Sequence, residues 1–306
     1  MSDGRLSVFK TYKLYVGGKF PRSESGRVYE VTTQTSAAGA AGKGRWLANA
    51  PQSSRKDARD AVVAARKAFG GWSGATAYNR GQVLYRVAEM LEGRREQFVR
   101  EVAEAEGLSK SKAAAVVDAA VDRWVWYAGW TDKIGQITGA VNPVAGPFLN
   151  LSTPEPTGVV TVLAPQASSF LGLVSVVAPV IATGNTAVVI ASADAPLPAL
   201  SLGEVLATSD LPGGVVNILS GKTAEIAAPL ASHQDVNGID LTGADADLAK
   251  ELEIAAADNL KRVHRPKAVD GTDWSADPGT HRLTAFLETK TVWHPTGALG
   301  VSGSSY

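Results

Sequence analysis

Cysteine is absent from all 306 residues. That one absence excludes disulfides, thiolate metal sites, iron–sulfur clusters and any thiol nucleophile within the chain. Histidine is scarce: His233, His264, His281 and His294 are the four. No two stand in an H-x-x-x-H or H-E-x-x-H pattern, so no metal site of that kind is expected. An excess of charge is also missing, because 30 Lys and Arg balance 30 Asp and Glu. Neither nucleic acid nor an anionic membrane is therefore expected as a partner. No apolar run reaches the roughly 18 residues that a membrane-spanning helix needs. Met1-Ser2-Asp3-Gly4-Arg5 is polar and lacks the apolar segment of a secretory signal. A cytoplasmic setting is the expectation.

What is present is the composition of a soluble globular protein with a real core, 45% hydrophobic and 20% charged. The most patterned stretch runs from Thr157 to Gly221. Three β-branched runs, Val159–Leu163, Ala187–Ile190 and Val215–Leu219, alternate with apolar segments of helix length, Phe170–Ile181 and Leu197–Thr208. This is a βαβαβ pattern and predicts a parallel sheet covered by helices. A helix at Ala224–Ala231 and a fourth unit, strand Gly238-Ile239-Asp240-Leu241 with a helix near Asp245–Asp258, extend it into an open doubly wound sheet.

Upstream, Tyr12–Phe20 reads as a short hairpin turning at Gly17-Gly18, and Thr32–Gln52 as loop. Four helices are predicted: one capped by Ser53 or Ser54 with Asp57 in its first turn, one capped by Asn79 and ended by Gly93, one over Arg94–Glu106 and one over Ser111–Trp130. The last carries Trp124, Trp126 and Trp130. They could form a stacking platform for a ring, but aromatic stripes mostly fill cores, and that reading is preferred. Gly135–Thr157 is an extended, Gly- and Pro-rich excursion. His264–Arg282 is polar and turn-rich, and reads as linker. After it comes one strand-like run, Thr284–Trp293, which must join a sheet elsewhere in this chain or in another.

Pro154-Glu155-Pro156-Thr157-Gly158-Val159-Val160, Ala178-Pro179-Val180-Ile181-Ala182-Thr183-Gly184-Asn185-Thr186 and Leu211-Pro212-Gly213-Gly214-Val215-Val216-Asn217 resemble the NAD(P)-dependent aldehyde dehydrogenases. The resemblance runs from Tyr12 to about Val263 and resumes from about Leu283. It implies a Rossmann-like α/β cofactor domain (1–134 and 158–263) and a β arm used for oligomerisation (135–157 and 284–306). The linker 264–283 stands where the family has its catalytic domain. Functional positions depart from the family pattern. Its Pro-Trp-Asn-x-Pro motif, with an oxyanion-binding Asn, corresponds to Pro165-Gln166-Ala167, so the Asn position is Ala167. Its ribose-binding Lys-Pro-x-Glu corresponds to Ile190-Ala191-Ser192-Ala193. Its Thr-Gly-Ser at the pyrophosphate helix corresponds to Thr242-Gly243-Ala244, followed by Asp245 and Asp247, whose charge competes with an anion for the helix N-terminus. His264-Arg265-Pro266-Lys267 stands in place of the catalytic Glu-Leu-Gly-Gly.

Losing a nucleophile costs a rate factor on the order of 10⁶, and one oxyanion donor on the order of 10²–10³. The expectation is a pseudoenzyme-like, non-catalytic subunit with no catalytic residues and no metal. Its cofactor site is degenerate (Pro165, Gln166, Ala167, Ile190, Ser192, Ala193, Thr242, Gly243, Ala244) and retains at most weak NAD(P) binding. The expected partner is a full-length aldehyde dehydrogenase or a second copy, held through Phe148, Leu149, Leu151, Phe286, Leu287, Thr289, Thr291 and Trp293. Two alternatives are a split aldehyde oxidoreductase with Cys and Glu supplied in trans, and a small-ligand sensor at the remodelled cleft. Ser168 and Ser169 are expected to cap a helix rather than hold an anion. Gly300-Val301-Ser302-Gly303-Ser304 is not a nucleophile elbow, because no Gly stands two residues after Ser302.

Overall fold

The structure, a computed structural model, describes residues 8–34, 44–266 and 272–296. The start of the chain, Lys267–Gly271 of the linker and the tail with the Gly300–Ser304 motif lie outside the described residues. In chain order the elements are β1 (Val28–Thr32), β2 (Trp46–Pro51), α1 (Arg55–Gly74), α2 (Ala77–Glu92), α3 (Arg95–Glu106), α4 (Lys110–Ala128), the short α5 (Ile134–Thr138), β3 (Ala140–Asn142) and β4 (Phe148–Pro156). The α/β unit follows with β5 (Val159–Leu163), α6 (Leu171–Ala182), β6 (Thr186–Ile190), α7 (Leu197–Ala207), β7 (Val216–Leu219), α8 (Thr223–Ala231), β8 (Gly238–Asp240), α9 (Ala246–Ala257) and β9 (Arg262–His264). A single turn, α10 (His281–Thr284), and β10 (Leu287–Pro295) close the series.

The central sheet has the order β7-β6-β5-β8-β9 and is parallel throughout. Its strands are buried on both faces, which is why they read as unbroken β-branched runs. Successive residues split between two cores. Val160, Val162, Ala187 and Val189 face the layer of α2, α3, α4, α6 and α7. Val159, Leu163, Val188 and Ile190 face the layer of α1, α8 and α9. α6 is buried all round, the state of an apolar helix without a polar face. No helix among the described residues is long and apolar enough to cross a membrane.

The predicted βαβ frame is present, with α/β architecture and a doubly wound parallel sheet. Three local expectations need correction, while the preferred reading of the tryptophans holds. Within the predicted loop Thr32–Gln52, β2 pairs antiparallel with β1. Its buried residues are the small Ala48 and Ala50 and the terminal Pro51, which give too faint an alternation for a strand to be read from sequence. Asn79 does not cap α2; the Thr76 hydroxyl does, accepting from the Asn79 N–H at 3.2 Å. The region read as linker from His264 supplies the end of a fifth strand, β9, and then α10. Trp124 is fully buried and Trp126 packs against Trp130 at 5.4 Å, so the tryptophans serve as core rather than as a platform.

The second sheet has the order β10-β4-β3. β10 runs antiparallel along all of β4, from Leu287 opposite Pro156 to Pro295 opposite Phe148. The late strand therefore finds its partner within its own chain. Asn185 joins the two sheets: its amide donates to the Phe286 carbonyl at 2.9 Å and its carbonyl accepts from Gly158 N–H at 2.8 Å.

Candidate functional site

In an open parallel sheet ligands bind beyond the carboxyl ends of the strands, at the point where strand order reverses. Here that point lies between β5 and β8. The loops that leave these strands are pressed together. Gly243 N–H donates to the Leu163 carbonyl at 2.9 Å, and a Cβ on Gly243 would stand 2.0 Å from the Ala164 carbonyl oxygen. Only glycine permits that approach.

The loop after β5 is tied to the loop after β6 by two side chains, Gln166 and Ser192. The Gln166 amide donates to Ala164 O at 2.9 Å, and its carbonyl accepts from Ala193 N–H at 2.9 Å. The Ser192 hydroxyl, buried, donates to the Gln166 backbone carbonyl at 2.9 Å. Polar capacity at these strand ends is thus consumed internally. Ser168 accepts from Gly172 N–H at 3.0 Å and caps α6, as expected. Ser169 donates to Glu106, which also accepts from Phe170 N–H at 3.2 Å. Burial holds the Glu106 carboxyl above the usual range despite those bonds.

Below the β8 end lies a buried ion pair. Arg282 of α10 donates to Asp240 at 3.0 Å and to the Thr242 hydroxyl at 3.1 Å. Asp240 and Arg282 are 2% and 9% exposed by side chain. Thr242 donates both its N–H, at 2.9 Å, and its hydroxyl to Asp240. Trp274 lies against the Arg282 guanidinium, 5.5 Å from ring centroid. The Trp274 and Ala276 carbonyls accept from Arg123 of α4 at 2.6 and 3.0 Å. His264, at the end of β9, is half-buried; desolvation, and then the Arg282 and His281 charges, push its pKa down, while Asp240 opposes them. Burial pushes the nearby Tyr127 hydroxyl up to about 12.

α9, which starts at this crevice, is capped by its own Asp245, whose carboxylate accepts from Leu248 N–H at 2.8 Å, and Asp247 adds a second negative charge in the first turn.

A sequence model of the aldehyde dehydrogenase family matches residues 31–265. Retinal dehydrogenase 2 of Gallus gallus is 33% identical over 263 residues, covering 83% of this chain and 48% of that protein. A mitochondrial aldehyde dehydrogenase of Leishmania tarentolae is 32% identical over 82% of this chain and 49% of its own length. The chain belongs to the aldehyde dehydrogenase family. Among solved structures, an aldehyde dehydrogenase from Bacillus cereus in an NAD+ complex superposes with a TM-score of 0.75 at 26% identity, covering 83% of this chain and 50% of that one. An NAD-dependent aldehyde dehydrogenase from Sinorhizobium meliloti gives 0.74 at 26% identity. The chain spans about half the length of these relatives.

Of the residues expected at the cofactor site, Pro165, Gln166, Ala167, Ser192, Ala193, Thr242, Gly243 and Ala244 lie together on the loops that leave β5, β6 and β8. Ile190 does not join them: its side chain is fully buried among the α1–α8–α9 core and faces no cleft. The exposed acid after β6 is Asp194, next to Ala193. An NAD(P) pyrophosphate does not fit the α9 terminus, where two carboxylates stand. Thr242 has its hydroxyl committed to Asp240 and Arg282.

Sequence reasoning missed Asp240, Arg282, Trp274 and Arg123. The charge inside the strand Gly238-Ile239-Asp240-Leu241 was the signal that a buried cation must stand nearby. Of the residues expected on the arm, Phe148, Leu149 and Trp293 are well exposed and Thr289 and Thr291 lie at the surface, whereas Leu151 and Leu287 are half-buried. Phe286 is corrected: it is a core residue, 2% exposed and packed on Gly238, so it offers nothing to a second subunit.

Proposed function

We propose that this chain is a non-catalytic aldehyde dehydrogenase homologue that works by assembling with a full-length aldehyde dehydrogenase, as scaffold or regulator, through its β3–β4–β10 arm. The observation that carries the reading is the passage from β9 to β10. The segment 265–286 holds no cysteine, and its described residues put Arg282 against the β8 end with Trp274 stacked on the guanidinium. A thiohemiacetal route needs a thiolate, a base and an oxyanion donor, and Ala167 brings no donor. Exposed Phe148 and Trp293, in edge-to-face contact at 5.7 Å, give the arm an apolar surface of the kind that marks contact sites.

The test joins three measurements on the purified chain: aldehyde turnover with NAD(P)+, calorimetric titration with NAD+, and co-purification with a full-length family member. The expected result is no turnover, NAD+ binding no tighter than about millimolar, and a stable complex. Micromolar NAD+ binding would favour the split-enzyme reading, with Cys and Glu supplied by the partner. A chain that stays monomeric and binds no family member refutes the scaffold role.

A further inference from the structure

A cleft of about 370 Å³, lined by none of the residues of the β5–β8 crevice, lies between residues 9–12 and the β1–β2 ribbon. Its size is within the usual range for small-molecule sites. Its floor is aromatic. Phe9 and Trp46 meet edge-to-face at 5.3 Å and 76°, and Tyr12 stands beside them. Phe9 is 66% and Trp46 39% exposed. Trp46 is held in its plane by a bond from its indole N–H to Asn49 at 3.3 Å.

The charge on this cleft has one sign. Lys10, Arg22 and Arg27 line it, and no Asp or Glu does. Lys10 is already spoken for: its ammonium pairs with Glu204 at 2.9 Å and rests over the Tyr12 ring at 4.7 Å. The Arg22 and Arg27 guanidiniums form no ion pair among the described residues. In a chain with no net charge, two unpaired guanidiniums beside three aromatic rings, with no carboxylate among the lining, are a local departure from the average surface.

We infer that this cleft is a binding site for a small aromatic anion, a flat ring system that bears a carboxylate. The ring would stack on the open Trp46 face and meet Phe9 at its edge, since aromatic pairs prefer offset or edge-to-face arrangements. The carboxylate would take the Arg22 and Arg27 forks, whose planar donor geometry matches a carboxylate bidentately. A cationic or strongly hydrated ligand is disfavoured by the same two features. The site is separate from the strand-end crevice, so it stands whether or not the scaffold reading holds.

The probe is 2-naphthoate, titrated calorimetrically into the full chain. Its controls are 2-methylnaphthalene, which keeps the ring and loses the charge, and acetate, which keeps the charge and loses the ring. Saturable one-site binding of 2-naphthoate is expected at about millimolar or tighter, with each control weaker by about tenfold or more. R22A/R27A is expected to cost about tenfold to a hundredfold, the value of charge-assisted bonds, and W46L about tenfold. Both arginines are exposed, so R22A/R27A should keep its circular dichroism and thermal midpoint; R22K/R27K, which keeps the charge without the fork, covers the case in which it does not. No saturable binding overturns the proposal. So does binding that R22A/R27A leaves within twofold, or equal binding of 2-methylnaphthalene, either of which would mark nonspecific apolar uptake.

Discussion

Asp240 is a carboxylate in the middle of a parallel sheet, a position at which an unpaired charge would be prohibitive. It accepts from three donors, the Arg282 guanidinium and the Thr242 hydroxyl and backbone N–H, while the second Arg282 nitrogen donates to the Thr242 hydroxyl. The net worth of such a pair over an apolar substitute is small, because desolvation offsets most of the Coulomb attraction. Breaking it from one side is another matter. Arg282→Met should destabilise the fold by about 3–5 kcal/mol, since the buried carboxylate loses its cation. The double variant Asp240→Leu, Arg282→Met should recover most of that loss. Urea unfolding of the three proteins measures both figures. A loss below about 1 kcal/mol for Arg282→Met would show that Asp240 is reached by water and that α10 is not its necessary partner.

The connection between the two sheets rests on the Gly184-Asn185-Thr186 turn. Gly184 takes a φ of 93°, which favours glycine at that position. Asn185, fully buried, then bonds to Gly158, Phe286 and Thr183 at once. Asn185→Ala would leave the Gly158 N–H buried without a partner, at about 1–3 kcal/mol, and would strip the Phe286 carbonyl of one of its two donors. Its expected signature is local as well as global: amide exchange at Thr157, which donates to Phe286 O at 3.2 Å, should quicken more than exchange within β6. Equal change throughout would mean that Asn185 serves the whole core and not the junction. The turn was readable in the sequence, but its third bond was not, because Phe286 is 101 positions away. β5 and β6 were readable for a different reason: both faces are buried, so Val159–Leu163 and Thr186–Ile190 are apolar or β-branched at every position. β2 presents Ala48 and Ala50 to the core, and their small side chains carry almost no pattern. At the candidate site Gln166, Thr242 and Gly243 lie on the loops that leave β5 and β8. Arg282 was not readable, because long-range pairing of one cation with one strand carboxylate leaves no periodic trace.

The molecule as a whole is a parallel sheet with two helical layers, and α10 with the residues before it closes the β8–β9 side of the sheet. His264 stands at that closure, 6.4 Å ring to ring from Phe286, with its Nε2 buried and without a hydrogen-bond partner among the described residues. The charged and titratable groups around it are Asp240, Arg282 and His281; desolvation is the first cause of its lowered pKa, and Asp240 is the only one of these that opposes the shift. His281 is lowered for the same first reason. A lowered folded-state pKa means that, below the usual value of 6.5, the unfolded chain binds more protons than the folded one. Stability therefore rises with pH in that window, is fully present above it, and is lost as pH falls through it. Glu288, lowered by its bonds from Arg262, acts in the same direction, but only below the usual glutamate value of 4.5, so the two windows separate. Urea midpoints taken between about pH 7.5 and 5 should fall with a slope above zero and no steeper than about 1.4 kcal/mol per pH unit for each proton taken up. His264→Gln should flatten most of the profile in that range and leave the acid limb below 4.5 unchanged. Burial raises the Glu106 carboxyl and pulls the profile the other way, so the decisive quantity is the difference between wild type and His264→Gln: a difference that is flat from 7.5 to 5, or that rises as pH falls, would mean that His264 keeps its proton in the folded chain and that Asp240 outweighs burial at the closure.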